Sequence, residues 1–170
     1  MTSRDRVIRT LNHQPVDQAP RDLWVAPGAE RLLADELAEL LYRYPSDLVK
    51  PDFHYPHGAR AKGRPYQPGE YTDAWGCVWR ITQPGTMGEL THAPLADLGH
   101  LAQFQPPWEL LQKADFSRVN RGCAATSQFV LAWTETRPFE RLQFLRGSEE
   151  ALIDLAYGTK ALRDLLDRLH

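Results

Sequence analysis

Val7, Ile8 and Leu11 fall on one helical face behind Thr2-Ser-Arg-Asp5, a capping-box arrangement, so the spacing predicts a short amphipathic helix over residues 3–12. Asn12 to Pro20 breaks the pattern, and Asp22-Leu-Trp-Val25 is a strand candidate. After Pro27-Gly28, Leu33, Leu37, Leu40 and Leu41 share a helical face, Tyr44-Pro-Ser closes that helix, and Asp47-Leu-Val-Lys50 reads as a second strand. Strand, helix and strand in this order predict a βαβ unit with parallel strands and a right-handed crossover.

From residue 51 to 94 the periodicity changes. Pro and Gly recur, and Trp75, Cys77, Trp79 and Ile81 alternate onto one face of a strand. Pro84-Gly85 suits a type II turn, and Met87-Gly-Glu-Leu-Thr91 can return antiparallel, so the block predicts a hairpin inserted into the α/β framework. Short helices are expected over Leu95 to Phe104 and, after Pro106-Pro107, over Trp108 to Ala114. Gln128-Phe-Val-Leu-Ala132 is a third buried strand, and the rest is helical: one helix with Phe139, Leu142 and Leu145, stopped by Gly147; one opening at Ser148-Glu-Glu; and one capped by Thr159 with Leu162, Leu165, Leu166 and Leu169 on a single face.

Composition narrows the class. The 170 residues are 42% hydrophobic and 25% charged with a formal charge of −2, which gives no general attraction to nucleic acid or anionic membrane. No apolar run is long enough to cross a bilayer, and the N-terminus lacks a secretory core, so a cytoplasmic protein is expected. Two cysteines, Cys77 and Cys123, are too few for a disulfide scaffold. No Gly-x-Gly-x-x-Gly, Walker loop, Gly-x-Ser-x-Gly elbow or His-Glu-x-x-His occurs, which disfavours nucleotide-dependent, serine-hydrolase and zincin chemistry. Strand–helix units starting near residues 22, 46 and 128 predict a parallel sheet, and about 250 residues are usual for an eight-stranded β/α barrel. The expected fold is therefore α/β with an inserted hairpin, either a small three-layer α/β domain or the N-terminal part of something longer, and the helical end with no strand after it favours the second.

Several segments, in order, resemble the uroporphyrinogen decarboxylase-like superfamily, which includes corrinoid-linked methyltransferases. They are Thr2-Ser-Arg-Asp-Arg-Val, Leu11-Asn-His-Gln-Pro-Val-Asp17 with Pro20, Asp73-Ala-Trp-Gly-Cys-Val-Trp-Arg80, Pro94-Leu-Ala-Asp97 and Phe139-Glu-Arg-Leu-Gln-Phe-Leu-Arg-Gly147. The likeness is greatest to the methyltransferase-like branch and implies a single barrel roughly twice this length, of which the chain is the N-terminal half and inactive alone. It implies methyl transfer to a thiol by a zinc-activated thiolate, with zinc and methylcobalamin as cofactors bound outside this segment. A small-molecule substrate or a corrinoid protein would be the partner, and a homodimer could complete the barrel. Decarboxylation of a porphyrinogen is the alternative, and a non-catalytic α/β module that dimerises is a third. Against the decarboxylase, the arginine-rich stretch after the first strand is replaced by Trp24-Val-Ala-Pro-Gly-Ala-Glu30, and the family's tyrosine by Phe144.

In a barrel, catalytic groups follow the strand ends. That directs attention to Trp24–Gly28, Lys50–His57 and Trp133–Arg137. The resemblance makes Asp52 the catalytic candidate, as a counterpart of the Asp that faces the pyrrole nitrogens in the decarboxylases. Trp24, His54, His57, Trp133, Glu135 and Phe144 are candidates for lining a substrate pocket. His54-Tyr-Pro-His57 lacks a nearby Cys pair, so it supports no metal assignment and leaves proton transfer, substrate contact or an ordinary polar loop open. Trp75 and Trp79 suit packing, Cys77 between them suits a buried protonated thiol, and Arg60, Lys62 and Arg64 suit a solvated loop.

Overall fold

The structure is a computed structural model that describes residues 1–133 and 136–170. Its elements in chain order are α1 (Ser3–Leu11), α2 (Pro27–Leu32), α3 (Ala34–Arg43), β1 (Leu48–Val49), β2 (Gly69–Thr72), β3 (Val78–Ile81) and β4 (Glu89–His92). A 3-10 turn at Leu98–His100 comes next, then α4 (Glu109–Gln112), α5 (Val119–Ala125), β5 (Phe129–Val130), α6 (Pro138–Arg146), α7 (Ser148–Tyr157) and α8 (Lys160–Leu169).

The strands do not form part of a barrel. Among the described residues β1 pairs only with β5, in parallel, and β2, β3 and β4 form a separate antiparallel sheet. The partial (β/α)8 barrel expected from the sequence is overturned for two physical reasons. Asp22–Val25 remains outside both ladders: the Asp47 amide donates to the Arg21 carbonyl at 2.8 Å, and strand pairing goes no further along that segment. The predicted hairpin is two strands of a three-stranded meander, whose central strand has antiparallel neighbours on both sides and no edge left for a parallel one.

The chain divides into two compact units. The first comprises Met1–His54 and Ala114–Trp133. Its sheet is two residue pairs long, Leu48 opposite Phe129 and Val49 opposite Val130. Helix α1 begins as its sequence predicts, with the Thr2 hydroxyl accepting the Asp5 amide at 3.1 Å. Arg4 then anchors the helix by donating to the carbonyl of Thr126 at 2.8 Å. Two residues on, the buried Arg6 contacts Asp17 at 2.7 Å and the buried Asp47, just before β1. Asp47 also accepts the Arg21 amide at 2.8 Å. Burial alone would raise the Asp47 pKa, but its hydrogen bonds from Arg21 and Ser3 and the Arg6 charge outweigh this and leave the carboxyl below its ordinary value.

The second unit takes in Tyr55–Lys113 and the C-terminal helices. In β3, Trp79 and Ile81 are buried and Arg80 is exposed, the alternation read from the sequence. The Asp73 carboxylate turns the chain into that strand by accepting the amides of Trp75 and Cys77, each at 2.9 Å. Cys77 and Trp79 pack with Leu95, Leu101 and Phe104 against Leu142, Leu145, Leu162, Leu165 and Leu169. Gly147 separates α6 from α7 at φ +86°, a backbone conformation that costs a residue with a Cβ. The buried Arg146 guanidinium donates to Asp154 at 2.7 Å and to the Leu95 carbonyl at 2.6 Å, so a charge in this core is fully partnered. No helix among the described residues is long and apolar enough to cross a membrane.

Candidate functional site

Beyond β1 the chain runs through Lys50 and Pro51 to Asp52, and a two-way backbone bridge pins it at His54. The His54 amide donates to the Asp115 carbonyl at 3.2 Å, and the Asp115 amide donates to the His54 carbonyl at 2.9 Å. Phe53 meets Phe116 beside the bridge, with ring centroids 5.8 Å apart. This clamp brings Arg118, the residue immediately before α5, to the Asp52 carboxylate at 3.6 Å, while His54 Nε2 lies 3.3 Å from its other oxygen. The three side chains keep 46%, 71% and 61% of their surface open for Asp52, His54 and Arg118.

Asp115 adds a second carboxyl on the same bridge. The Ser117 side chain and amide, then the charges of Arg118 and His54, hold its pKa below the ordinary carboxylate value. Two carboxylates, an imidazole and a guanidinium therefore share one open surface. Such a set can accept hydrogen bonds from a ligand N–H, pair with a ligand anion, and move a proton through the imidazole.

The other predicted residues are placed differently. Trp24 and Trp133 belong to the same unit as Asp52 and are exposed. His57, also exposed, and Phe144 belong to the second unit. Phe144 packs edge-on to Trp79 at 4.8 Å, with the Arg141 guanidinium 5.5 Å from its ring centre. Glu135 lies outside the described residues. Sequence reasoning missed Asp115 and Arg118, since an arginine in a helical turn far downstream carries no local mark of its partner.

The resemblance places its zinc outside this segment, and the described residues offer no ligand set of their own for one. Zinc binds thiolate and imidazole ligands. Cys77 is buried, its thiol donates to the Phe144 carbonyl at 3.4 Å, and burial with the nearby Asp73 charge pushes its pKa up to about 12. It stays a thiol at neutral pH. Among the described residues no three His, Cys, Asp or Glu side chains gather as a metal-binding set. No family model, curated protein or solved structure matches the chain.

Proposed function

We propose that this chain supplies the substrate-contacting surface of a small-molecule enzyme related to the uroporphyrinogen decarboxylase-like superfamily, in which a methyl group moves to a thiol. The motif order in the sequence supports the family. The observation that carries the chemistry is the Asp52–His54 pair at 3.3 Å in the loop after β1. A thiol must lose its proton before sulfur attacks a methyl carbon. His54 can take that proton at Nδ1, because Nε2 faces Asp52, and the positive charge formed on the ring is then set beside a carboxylate. The S–CH3 bond forms as the donor–CH3 bond breaks, and the proton leaves from His54 to solvent.

Arg118 favours the decarboxylase as a second reading. A carboxylate and a guanidinium 3.6 Å apart match a substrate that presents a pyrrole N–H next to an acidic side chain. One experiment addresses both. The protein, in the longest form its gene encodes, is assayed for thiol-dependent loss of methylcobalamin absorbance and, separately, for decarboxylation of uroporphyrinogen. Methyl transfer that falls by about 100-fold or more in His54→Ala is the expected result. Decarboxylation without methyl transfer selects the second reading, and failure of both reactions overturns the family assignment.

A further inference from the structure

Helices α2 and α3 bury none of their residues. Leu33, Leu40 and Tyr44 are 50%, 45% and 47% exposed, and Leu37 between them is half-buried. Isolated exposed leucines are ordinary, but these four form a stripe at steps of four, three and four residues, the a/d seam of a heptad. Leu40 and Tyr44 of the stripe, with Leu23 and Leu41, also form the apolar side of a pocket of about 220 Å³ whose polar side is Arg21, Asp22 and Ser46.

We propose that this face binds a second copy of the chain, the two α3 helices packing antiparallel about a two-fold axis. Antiparallel packing sets each a position against a d position. Leu37 then lies opposite the partner's Leu40, and Tyr44 opposite the partner's Leu33, which meets the rim of the pocket. The flanking charges select this direction over the parallel one. Alongside the seam Glu36 and Arg43 occupy equivalent flanking positions one heptad apart, and in the antiparallel register Glu36 faces the partner's Arg43, with the symmetric contact repeating it. A parallel pair places Glu36 against the partner's Leu41 and matches no charge. The other flank pairs Ala34 with the partner's Leu41, apolar on apolar. An anionic lipid surface is a poorer occupant, because the polar side of the helix carries Asp35, Glu36 and Glu39.

Ten helical residues span about 15 Å, so the interface is small and the association weak. Sedimentation equilibrium on the protein as it exists is expected to show one chain of 19.4 kDa at low concentration and a two-chain species rising over tens of micromolar. Leu40→Glu abolishes that species with an unchanged far-UV spectrum, and Leu152→Glu, at an exposed site on α7, leaves it intact. Arg43→Glu weakens it about fivefold, and adding Glu36→Arg restores it, a readout that does not depend on a core leucine. With Cys123→Ser as background, Glu36→Cys with Arg43→Cys crosslinks two chains on mild oxidation, whereas Glu36→Cys with Leu41→Cys does not. A single chain up to about 200 µM, a dimer indifferent to Leu40→Glu, or crosslinking through the 36/41 pair alone each overturns the proposal.

Discussion

The unit built on the β2–β3–β4 meander and the C-terminal helices buries Leu95, Leu142, Leu145 and Leu165 completely. In the unit built on β1 and β5, among the described residues, Val7 is the buried apolar side chain and Arg6 and Asp47 are the buried charges. The meander unit satisfies the hydrophobic effect within itself. The β1–β5 unit is organised by directional contacts, Arg6 to Asp17 and Asp47 and Arg4 to the lead-in of β5, while Leu33 and Leu40 stay exposed. Apolar burial is non-directional and tolerates small shifts, whereas a buried ion pair demands its geometry and leaves a costly orphan when either partner goes. One chain thus yields two regions with opposite sensitivities.

Substitutions separate them, the largest effect coming from the apolar core. Leu145→Ala removes a fully buried side chain and is expected to cost about 2–5 kcal/mol in urea unfolding of the second unit. Arg6→Ala strips the cation from two carboxylates, and amides at 46–49 and 127–131 should then exchange about tenfold faster or more, with those of α8 unchanged; equal acceleration in both regions would erase the contrast.

Acid probes the same cluster. Asp17 is lowered chiefly by its hydrogen bond from Arg6, and Asp47 is lowered as well. Depressed carboxyls contribute stability above their unfolded-state value of about 3.9 and lose it as pH falls through their lower folded values. Exchange in the first unit should therefore accelerate below about pH 4, and Asp17→Asn should flatten that dependence. Two smaller effects are expected. Thr159→Ala removes a hydroxyl that accepts the Leu162 amide at 3.1 Å at the start of α8, and should cost about 1 kcal/mol. Leu40→Ala, on the uncovered face, should change unfolding of the single chain by less than about 0.5 kcal/mol.

Local signals were legible and long-range ones were not. Thr2 and Thr159 cap the helices they precede, Gly147 ends α6, and the Trp79/Ile81 alternation marks β3, because each depends on neighbours a few residues away. The barrel failed because strand order depends on which edges find each other. Asp22–Val25 has a strand's composition and no ladder. Asp52 and His54 were visible as chemistry, but Arg118 and Asp115 join them only through the bridge between two distant loops. Arg6 and Asp17 lie within segments that suggested a family, and in the fold they hold the chain around β1.

The parallel pairing of β1 with β5 has a bearing on how the molecule is made. The Leu48 carbonyl and the Gln128 side chain that reaches it are separated by 80 residues. At about 5–20 residues per second a ribosome takes roughly 4–16 s to deliver the second after the first. Throughout that interval the outward leucines of α3 are already synthesised and the strand that orders their unit is not, so nascent chains translated slowly between the two are the ones most exposed to chaperones and to one another.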